Sequence, residues 1–250
     1  LAAPTVVFGT ILGVERYNLS VAHRRAEAAV ASAHTLLAQA RTETRVVAVL
    51  RNTAFAAYDS GEHTLGAAIW SKVQQAVTQE DARYGDVQGT LDKALASVAG
   101  YSPARNAAAD LYADLLRISD REGVVKDRAT HERSLRFFDD TGRYAELIAA
   151  AGSLDVQTTP SGAKITLFRF TDQDRDGRFE ETLVRNLGAS PHTERDLAMG
   201  SYLLVLDKEG YEPARFPISM GRMERRTASV TLLKSGRIPR GYVYVPGGPC

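Results

Sequence analysis

The first half of the chain repeats apolar residues at three- and four-residue spacing, which is the pattern of helices with one buried face. Between Glu15 and about Tyr58 the repeating positions are Ala26, Ala29, Val30, Ala33, Leu36, Leu37 and Ala40. This run ends at Gly61, and glycine commonly follows the last turn of a helix. A second helix is predicted over 64–84, with a buried stripe of Leu65, Ile69, Val73 and Val77 and with Trp70 beside it. The two helices are therefore expected to pack as a long antiparallel hairpin.

Shorter helices are predicted between this hairpin and residue 152. One covers 91–98 and stops at a glycine. The next covers 102–123, because serine is a preferred N-cap and the Ser-Pro pair at its start places proline in the first turn. A further helix ends at Phe138, and a short last helix follows a turn over 138–145.

From residue 154 onward the pattern changes to short runs of β-branched and aromatic residues between glycine- or proline-containing turns. Such runs are typical of strands, and they cover 154–159, 164–170, 202–206, 216–220 and 228–233. The first two flank a Pro-Ser-Gly-Ala turn at 160–163 and are predicted to pair as a hairpin. Residues 202–206 are apolar on both faces, as in a central strand, whereas 216–220 alternate. Together these runs predict a small antiparallel β-sandwich.

The two patterns predict an α+β chain with an α-helical region over 15–152 and a β-sandwich over 153–234. The junction at Gly152-Ser153 is short and lacks the composition of a flexible spacer. The helices and the sandwich are therefore expected to pack rigidly.

Several of these residues resemble known bacterial modules. The turn at 160–163, Gly200-Ser201-Tyr202 before a hydrophobic strand and Gly210-Tyr211 after it resemble a PEGA domain, a bacterial β-sandwich. Ser161 stands where that family has glutamate, on the surface of the turn. Gly162, Gly200 and Gly210 stand where the chain is expected to reverse between strands, and glycine reaches positive φ without steric cost.

The helical region resembles tetratricopeptide repeats (TPRs). The matching positions are Ala94, Leu95, Pro103, Ala108, Tyr112 and Leu135. They cover about one and a half repeats, and fewer than three repeats do not stack into a stable solenoid. The resemblances together imply N-terminal all-α helical hairpins of a TPR-like kind, followed by a PEGA-like antiparallel β-sandwich.

Residues 235–250 are similar to the opening of formylglycine-generating-enzyme (sulfatase-modifying factor) domains. Residues 239–248 read Pro-Arg-Gly-Tyr-Val-Tyr-Val-Pro-Gly-Gly, with Tyr242 at the position where the family usually has methionine. This order of modules resembles bacterial multidomain serine/threonine protein kinases, whose kinase domain precedes the helices. The resemblance implies a parent kinase that uses ATP and magnesium, whereas no cofactor is expected in this stretch.

Residues 1–14 carry no charge. A membrane-spanning helix needs roughly 20 apolar residues, so this run is a candidate for the end of a transmembrane helix, and a buried helix or an unstructured lead fits it equally. The chain is accordingly expected to be membrane-anchored or cytoplasmic in a bacterium. Arg24 and Arg25 follow the run, and the positive-inside rule would place them in the cytoplasm. The kinase domain, which is expected to precede the run, would then lie on the opposite side of the membrane, and this disagrees with a cytoplasmic kinase.

The charge balance bears on the class of partner, and the cysteine content bears on disulfide formation. The chain has 31 Lys and Arg against 30 Asp and Glu, so its total charge does not favour a nucleic-acid partner. Cys250 is the single cysteine, and no intrachain disulfide can form.

The sharpest candidate for metal chemistry is the acidic segment 172–177. Asp172, Asp174 and Asp176 followed by Gly177 have the spacing of positions one, three, five and six of a calcium loop. The twelfth position, where glutamate closes the coordination shell, is Leu183. The segment also fits a solvated hairpin loop rich in turn formers, and this second interpretation is favoured.

No catalytic residue is predicted. The five histidines, 23, 34, 63, 131 and 192, are dispersed, and the pair of His23 and Glu27 lacks the second histidine of a zinc motif. Asp139 and Asp140 suit a turn or helix cap. The sequence has no Gly-x-Ser-x-Gly elbow and no glycine-rich phosphate loop before a helix.

These observations favour a non-catalytic connector or interaction region of a bacterial signalling protein. Its expected partners are other domains of the same polypeptide, a protein or cell-wall glycan at exposed strand edges, and the membrane through residues 1–14. The alternative is an extracytoplasmic PEGA-type module that binds a ligand or the cell wall. A third interpretation is a fragment of an enzyme whose helices reach its active site.

Overall fold

The computed structural model describes the backbone of residues 3–173 and 179–247, with side chains described over 16–171 and 179–247. The chain divides into two compact units, Leu1–Tyr144 and Ala145–Cys250. The first is helical and the second is built mainly from β-strands, which confirms the predicted α+β class with helices before strands.

Two long helices form the frame of the first unit. α1 covers Ala3–Asp59 and α2 covers His63–Ser97. A tight turn joins them, with Gly61 in the left-handed region at φ 81°, so the helices return side by side as predicted. Over the part of α1 whose side chains are described, the buried positions are Ala26, Val30, Ala33, Leu37, Ala40, Val47, Ala54 and Ala57.

The prediction of separate helices over 64–84 and 91–98 is wrong, because α2 is continuous. Gly85 and Gly89 lie inside it, and Val87 and Leu91 continue its buried face. The predicted stripe is correct only in part: Val73 is buried, but Ile69 and Val77 are half-buried and Leu65 is 48% exposed. The residues that α2 buries are Gly66, Val73, Ala76, Glu80, Tyr84, Val87, Leu91 and Ala94.

Two further helices complete the first unit, α3 at Ser102–Glu122 and α4 at Val125–Phe138. The expected serine cap is wrong: Tyr101 occupies the N-cap, no side chain caps it, and Ser102 is already helical. The end of α3 follows the prediction, because Gly123 adopts a left-handed conformation at φ 72°. A shared core joins α1, α2 and α3.

The second unit begins with a short helix, α5, at Ala145–Ala149. Its described strands are β1 at Gly152–Thr159, β2 at Lys164–Gln173, β3 at Phe179–Ala189, β4 at His192–Leu197, β5 at Gly200–Asp207, β6 at Ala214–Met220 and β7 at Arg225–Thr231. They form one sheet in the order β4-β1-β7 and another in the order β3-β2-β5-β6. Side chains of both sheets share one core, as in a β-sandwich.

Two predictions about strand pairing are wrong. β1 and β2 lie in different sheets, so residues 160–163 carry the chain from one sheet to the other instead of closing a hairpin. Backbone hydrogen bonds between Gly162, Ala163 and Ser190 hold that crossing. The sandwich is also not wholly antiparallel, because β1 and β7 pair in parallel.

The uncharged N-terminal segment enters α1 without a break from Ala3 onward. Residues 1–2 of that segment lie outside the described part of the chain. Within 3–173 and 179–247, no helix combines the length and the apolar character needed to cross a membrane.

Candidate functional site

An apolar groove of about 500 Å³ runs along β6, the edge strand of the four-stranded sheet. We call it the β6 groove. Its described lining residues are Phe170, Phe179, Ser201, Tyr202, Phe216, Pro217, Ile218, Ser219, Arg226 and Pro246. Four of them are consecutive in β6, and successive side chains of a strand point to opposite faces. The groove therefore includes both faces of β6 at the sheet edge, and Phe170 and Phe179 extend it across the sheet to β2 and β3.

Aromatic side chains form much of the groove. The rings of Phe170 in β2 and Phe179 in β3 have centroids 5.9 Å apart, and Phe179 is 61% exposed. Ser201 and Ser219 lie opposite each other across the β5–β6 pair. Because serine side chains are small, they leave space between the aromatic residues.

Tyr202 is held in place at the inner side of the groove. Its hydroxyl donates a hydrogen bond to the carbonyl oxygen of Ala198 at 2.7 Å, and the guanidinium carbon of Arg169 lies 5.8 Å from the centroid of its ring. Burial raises the pKa of the Tyr202 hydroxyl. This side chain is therefore a neutral, fixed wall at physiological pH.

The segment after β7, residues 232–247, crosses the edges of both sheets; we call it the tail. The backbone N–H of Arg215 in β6 donates to the carbonyl oxygen of Tyr244 at 2.9 Å. The Tyr244 hydroxyl donates to the carbonyl oxygen of Thr231 in β7 at 2.8 Å. Tyr244 and Ala214 form a single parallel bridge, which places Pro246 beside the groove.

A polar concavity of about 610 Å³ lies elsewhere on the second unit. Its described lining residues are Ala151, Gly152, Ser153, Asp155, Thr193, Arg195, Asp196, Met223 and Arg225. The Thr193 hydroxyl donates to the Asp155 carboxylate at 2.6 Å across the β1–β4 pair. Hydroxyl, carboxylate and guanidinium groups thus converge on one open surface, which the sequence did not predict.

Ion pairs cross-link α1 and α3 in the first unit. The Asp114 carboxylate in α3 binds Arg41 of α1 at 2.6 Å and Arg117 of its own helix at 3.0 Å. Beside them, Glu122 binds Arg51 at 2.6 Å. Burial opposes ionisation of Glu122, but hydrogen bonds from Arg51 and Arg121 outweigh it and hold the pKa of this carboxyl below its usual range. These groups have their partners within the protein, which indicates a structural role.

A serine–histidine contact that the sequence did not reveal lies between α3 and α4. The Ser119 hydroxyl oxygen is 2.8 Å from His131 Nδ1, and Ser119 donates its proton to the Leu115 carbonyl oxygen at 2.9 Å. The hydroxyl then accepts from the imidazole, the reverse of the arrangement that activates a nucleophile. Ser119 is also only 4% exposed, so this pair is structural.

The predicted calcium loop falls largely outside the described residues. Asp174 and Asp176 lie there, while Asp172 is in β2 with its side chain undescribed. Within the described residues, no three His, Cys, Asp or Glu side chains are grouped so that they could hold a metal ion.

Asp139 has the turn contacts that the sequence predicted, whereas the side chain of Asp140 contacts α3. Asp139 accepts hydrogen bonds from the backbone N–H groups of Arg143 and Tyr144, and Asp140 pairs with Arg105. His23 is exposed and packs edge-on against Tyr101.

Compared with known proteins, the sequence matches no protein-family model and no curated protein.

Proposed function

We propose that this chain is a non-catalytic connector and interaction region of a bacterial signalling protein. The observation that carries the proposal is the β6 groove, an apolar surface walled by aromatic side chains. Among its described lining residues, Arg226 alone carries a charge, and its Nε donates to the Glu224 carboxylate at 2.9 Å. Such a surface suits the burial of an apolar partner and provides no acid–base pair for catalysis.

The parent of this region is a serine/threonine protein kinase fused to a formylglycine-generating-enzyme-like domain, with TPR-like helices and a PEGA-like sandwich between the two. The support is the order of the motifs in the sequence, together with two glycines of the PEGA-like pattern. Gly162 and Gly210 have φ of 84° and 79°, values that suit glycine. ATP and magnesium belong to the kinase and not to this chain.

The length of α1 suits a spacing role. It has 57 residues against 35 in α2, and a helix rises about 1.5 Å per residue. The N-terminal part of α1 therefore extends beyond the hairpin partner, which separates whatever precedes it from the helical core.

Two measurements test this function. Calorimetric titration of the purified 250-residue chain with ATP and magnesium is expected to give no binding heat, and saturable binding would contradict a non-catalytic role. Sequencing the natural gene on both sides of this region is expected to reveal a kinase domain upstream and the remainder of the formylglycine-enzyme-like domain downstream. A gene without either would contradict the proposed parent.

The polar concavity favours a second candidate, an extracytoplasmic module that binds cell-wall glycan. Asp155, Thr193 and Arg225 present the hydrogen-bonding groups that sugar hydroxyls require. Titration with soluble cell-wall fragments separates the candidates, because only this one expects saturable binding that Arg225→Ala weakens. A calcium-dependent rise in melting temperature would add support, since a bound ion stabilises the folded state.

A further inference from the structure

The backbone edge beside the β6 groove cannot accept a regular additional strand. In the parallel pairing that starts at Ala214 and Tyr244, the next two hydrogen bonds would use the N–H groups of residues 246 and 217. Both residues are proline and have no N–H. The pairing between the tail and β6 therefore ends at Tyr244.

The same geometry limits any other chain that reaches this edge. Backbone groups along an edge strand point outward at alternate residues, and the Arg215 N–H already donates outward to Tyr244. The next outward position is Pro217, which offers a carbonyl acceptor and no donor. A partner that depends on a ladder of donors and acceptors is thus disfavoured, although the side chains beside this edge are apolar.

A partner for this edge has to bind without a regular backbone ladder and to pack against apolar side chains. A polyproline II helix meets both conditions. It has no internal hydrogen bonds and needs no ladder with its partner, and proline-rich segments dock in grooves lined by aromatic side chains. Phe170, Phe179, Tyr202 and Phe216 provide such a lining. Pro246 of the tail already borders the groove within a Val-Pro-Gly segment of the same chain.

We propose that the β6 groove binds a proline-rich segment of a partner protein in the polyproline II conformation. This inference rests on the proposed role as an interaction region and specifies the partner. The tail supports this assignment, because a proline-containing segment already lies against the β6 edge at Arg215 and reaches the groove at Pro246. The partner would occupy the part of the edge beyond Arg215, where the described residues of the tail make no further backbone hydrogen bond to β6.

The test is fluorescence anisotropy with a labelled oligoproline of about ten residues, roughly three turns of the helix, added to the full 250-residue chain. A glycine–serine peptide of equal length is the probe control. We expect saturable binding of oligoproline alone. Phe179→Ala is expected to weaken it roughly tenfold, as for the loss of an aromatic contact in an interface.

Leu183→Ala is the matched control variant. Leu183 is also an exposed apolar residue of β3, at 55% exposure, and does not belong to the groove lining. It is expected to leave binding unchanged, and circular dichroism checks that both variants remain folded. Absent oligoproline binding, or equal losses in the two variants, would overturn the proposal.

A valine- and threonine-rich peptide of the same length distinguishes the mode of binding. Stronger binding of this peptide than of oligoproline would indicate strand addition and overturn the polyproline assignment. None of these results bears on the connector role, which the ATP titration and the gene sequence test independently.

Discussion

The carboxylate of Glu80 in α2 is fully buried and accepts two hydrogen bonds from the guanidinium of Arg121 in α3, at 2.6 and 3.3 Å. A buried carboxylate is stable only with a partner, because removal from water costs several kcal/mol. Arg121→Met is therefore expected to destabilise the helical unit by about 3 kcal/mol. Denaturant unfolding monitored by Trp70, the single tryptophan, measures this unit separately from the sandwich.

The double variant Glu80→Gln with Arg121→Met is the control. Removing both charges leaves a neutral amide in place of an unpaired carboxylate, so most of the lost stability is expected to return. If the double variant is as unstable as Arg121→Met alone, the buried charge is not the cause.

Helices with a regular apolar period could be predicted from the sequence, as α1 shows. α2 was misread because its buried face includes Gly66, Glu80 and Tyr84, residues that a count of apolar positions passes over. Glu80 is buried only because Arg121, on another helix, can reach it. Such a pairing depends on tertiary contacts and has no local sequence signal.

The strands show a similar limit. β3 has Leu187 as its one buried side chain among the described residues, so it lacks the alternation that marks a half-buried strand. Its backbone pairing with β2 makes it a strand. The β6 groove could not be predicted from the sequence either, because its lining residues come from five strands and the tail.

Replacing glycine by alanine is expected to have opposite effects on stability at two positions of α2, because Gly66 lies close to Tyr58 and Gly89 does not. A Cβ at Gly66 would lie 2.8 Å from two ring atoms of Tyr58, so Gly66→Ala is expected to cost about 1–3 kcal/mol through overpacking. Gly89 lies in the same helix with open space around it. Gly89→Ala is expected to stabilise the unit by about 0.5–1 kcal/mol, because alanine loses less backbone entropy in a helix.

Trp70 fluorescence during urea unfolding measures both alanine variants under the same conditions. A shift in the same direction for both would show that helix propensity, and not the contact with Tyr58, dominates at position 66. Circular dichroism confirms that each variant keeps its helical content before unfolding.

His131 predicts a pH dependence of the helical unit. Burial lowers the pKa of its imidazole, although Asp127 and a backbone hydrogen bond at Leu115 oppose this. The folded state therefore favours the neutral ring, and its contribution to stability is present above the unfolded histidine pKa of about 6.5. Stability is expected to fall as pH decreases through that value, since the unfolded chain binds the proton first.

His131→Gln removes the titration and is expected to flatten the change in unfolding midpoint between about pH 7.5 and 5.5. Glu122 does not contribute to the pH dependence in this range. Because its pKa is lowered, its contribution to folding stability is lost only at pH values below the ordinary glutamate range. An equal pH dependence in the variant and the unchanged chain would contradict this assignment.

Pro217 is expected to keep the edge of β6 from pairing with a second copy of the chain. It is exposed, and it lacks the N–H that an added strand would use. Pro217→Thr supplies that donor with a residue that favours strands. The variant is expected to have a higher weight-average mass than the unchanged chain in sedimentation equilibrium at the same concentration.

Ser219→Thr is the matched control, because it introduces the same side chain on the same edge at a position that already has an N–H. It is expected to sediment like the unchanged chain. Self-association of the Pro217→Thr variant alone would assign the effect to the restored donor. If both variants associate, the threonine side chain is responsible, and if neither does, the tail protects this edge without help from Pro217.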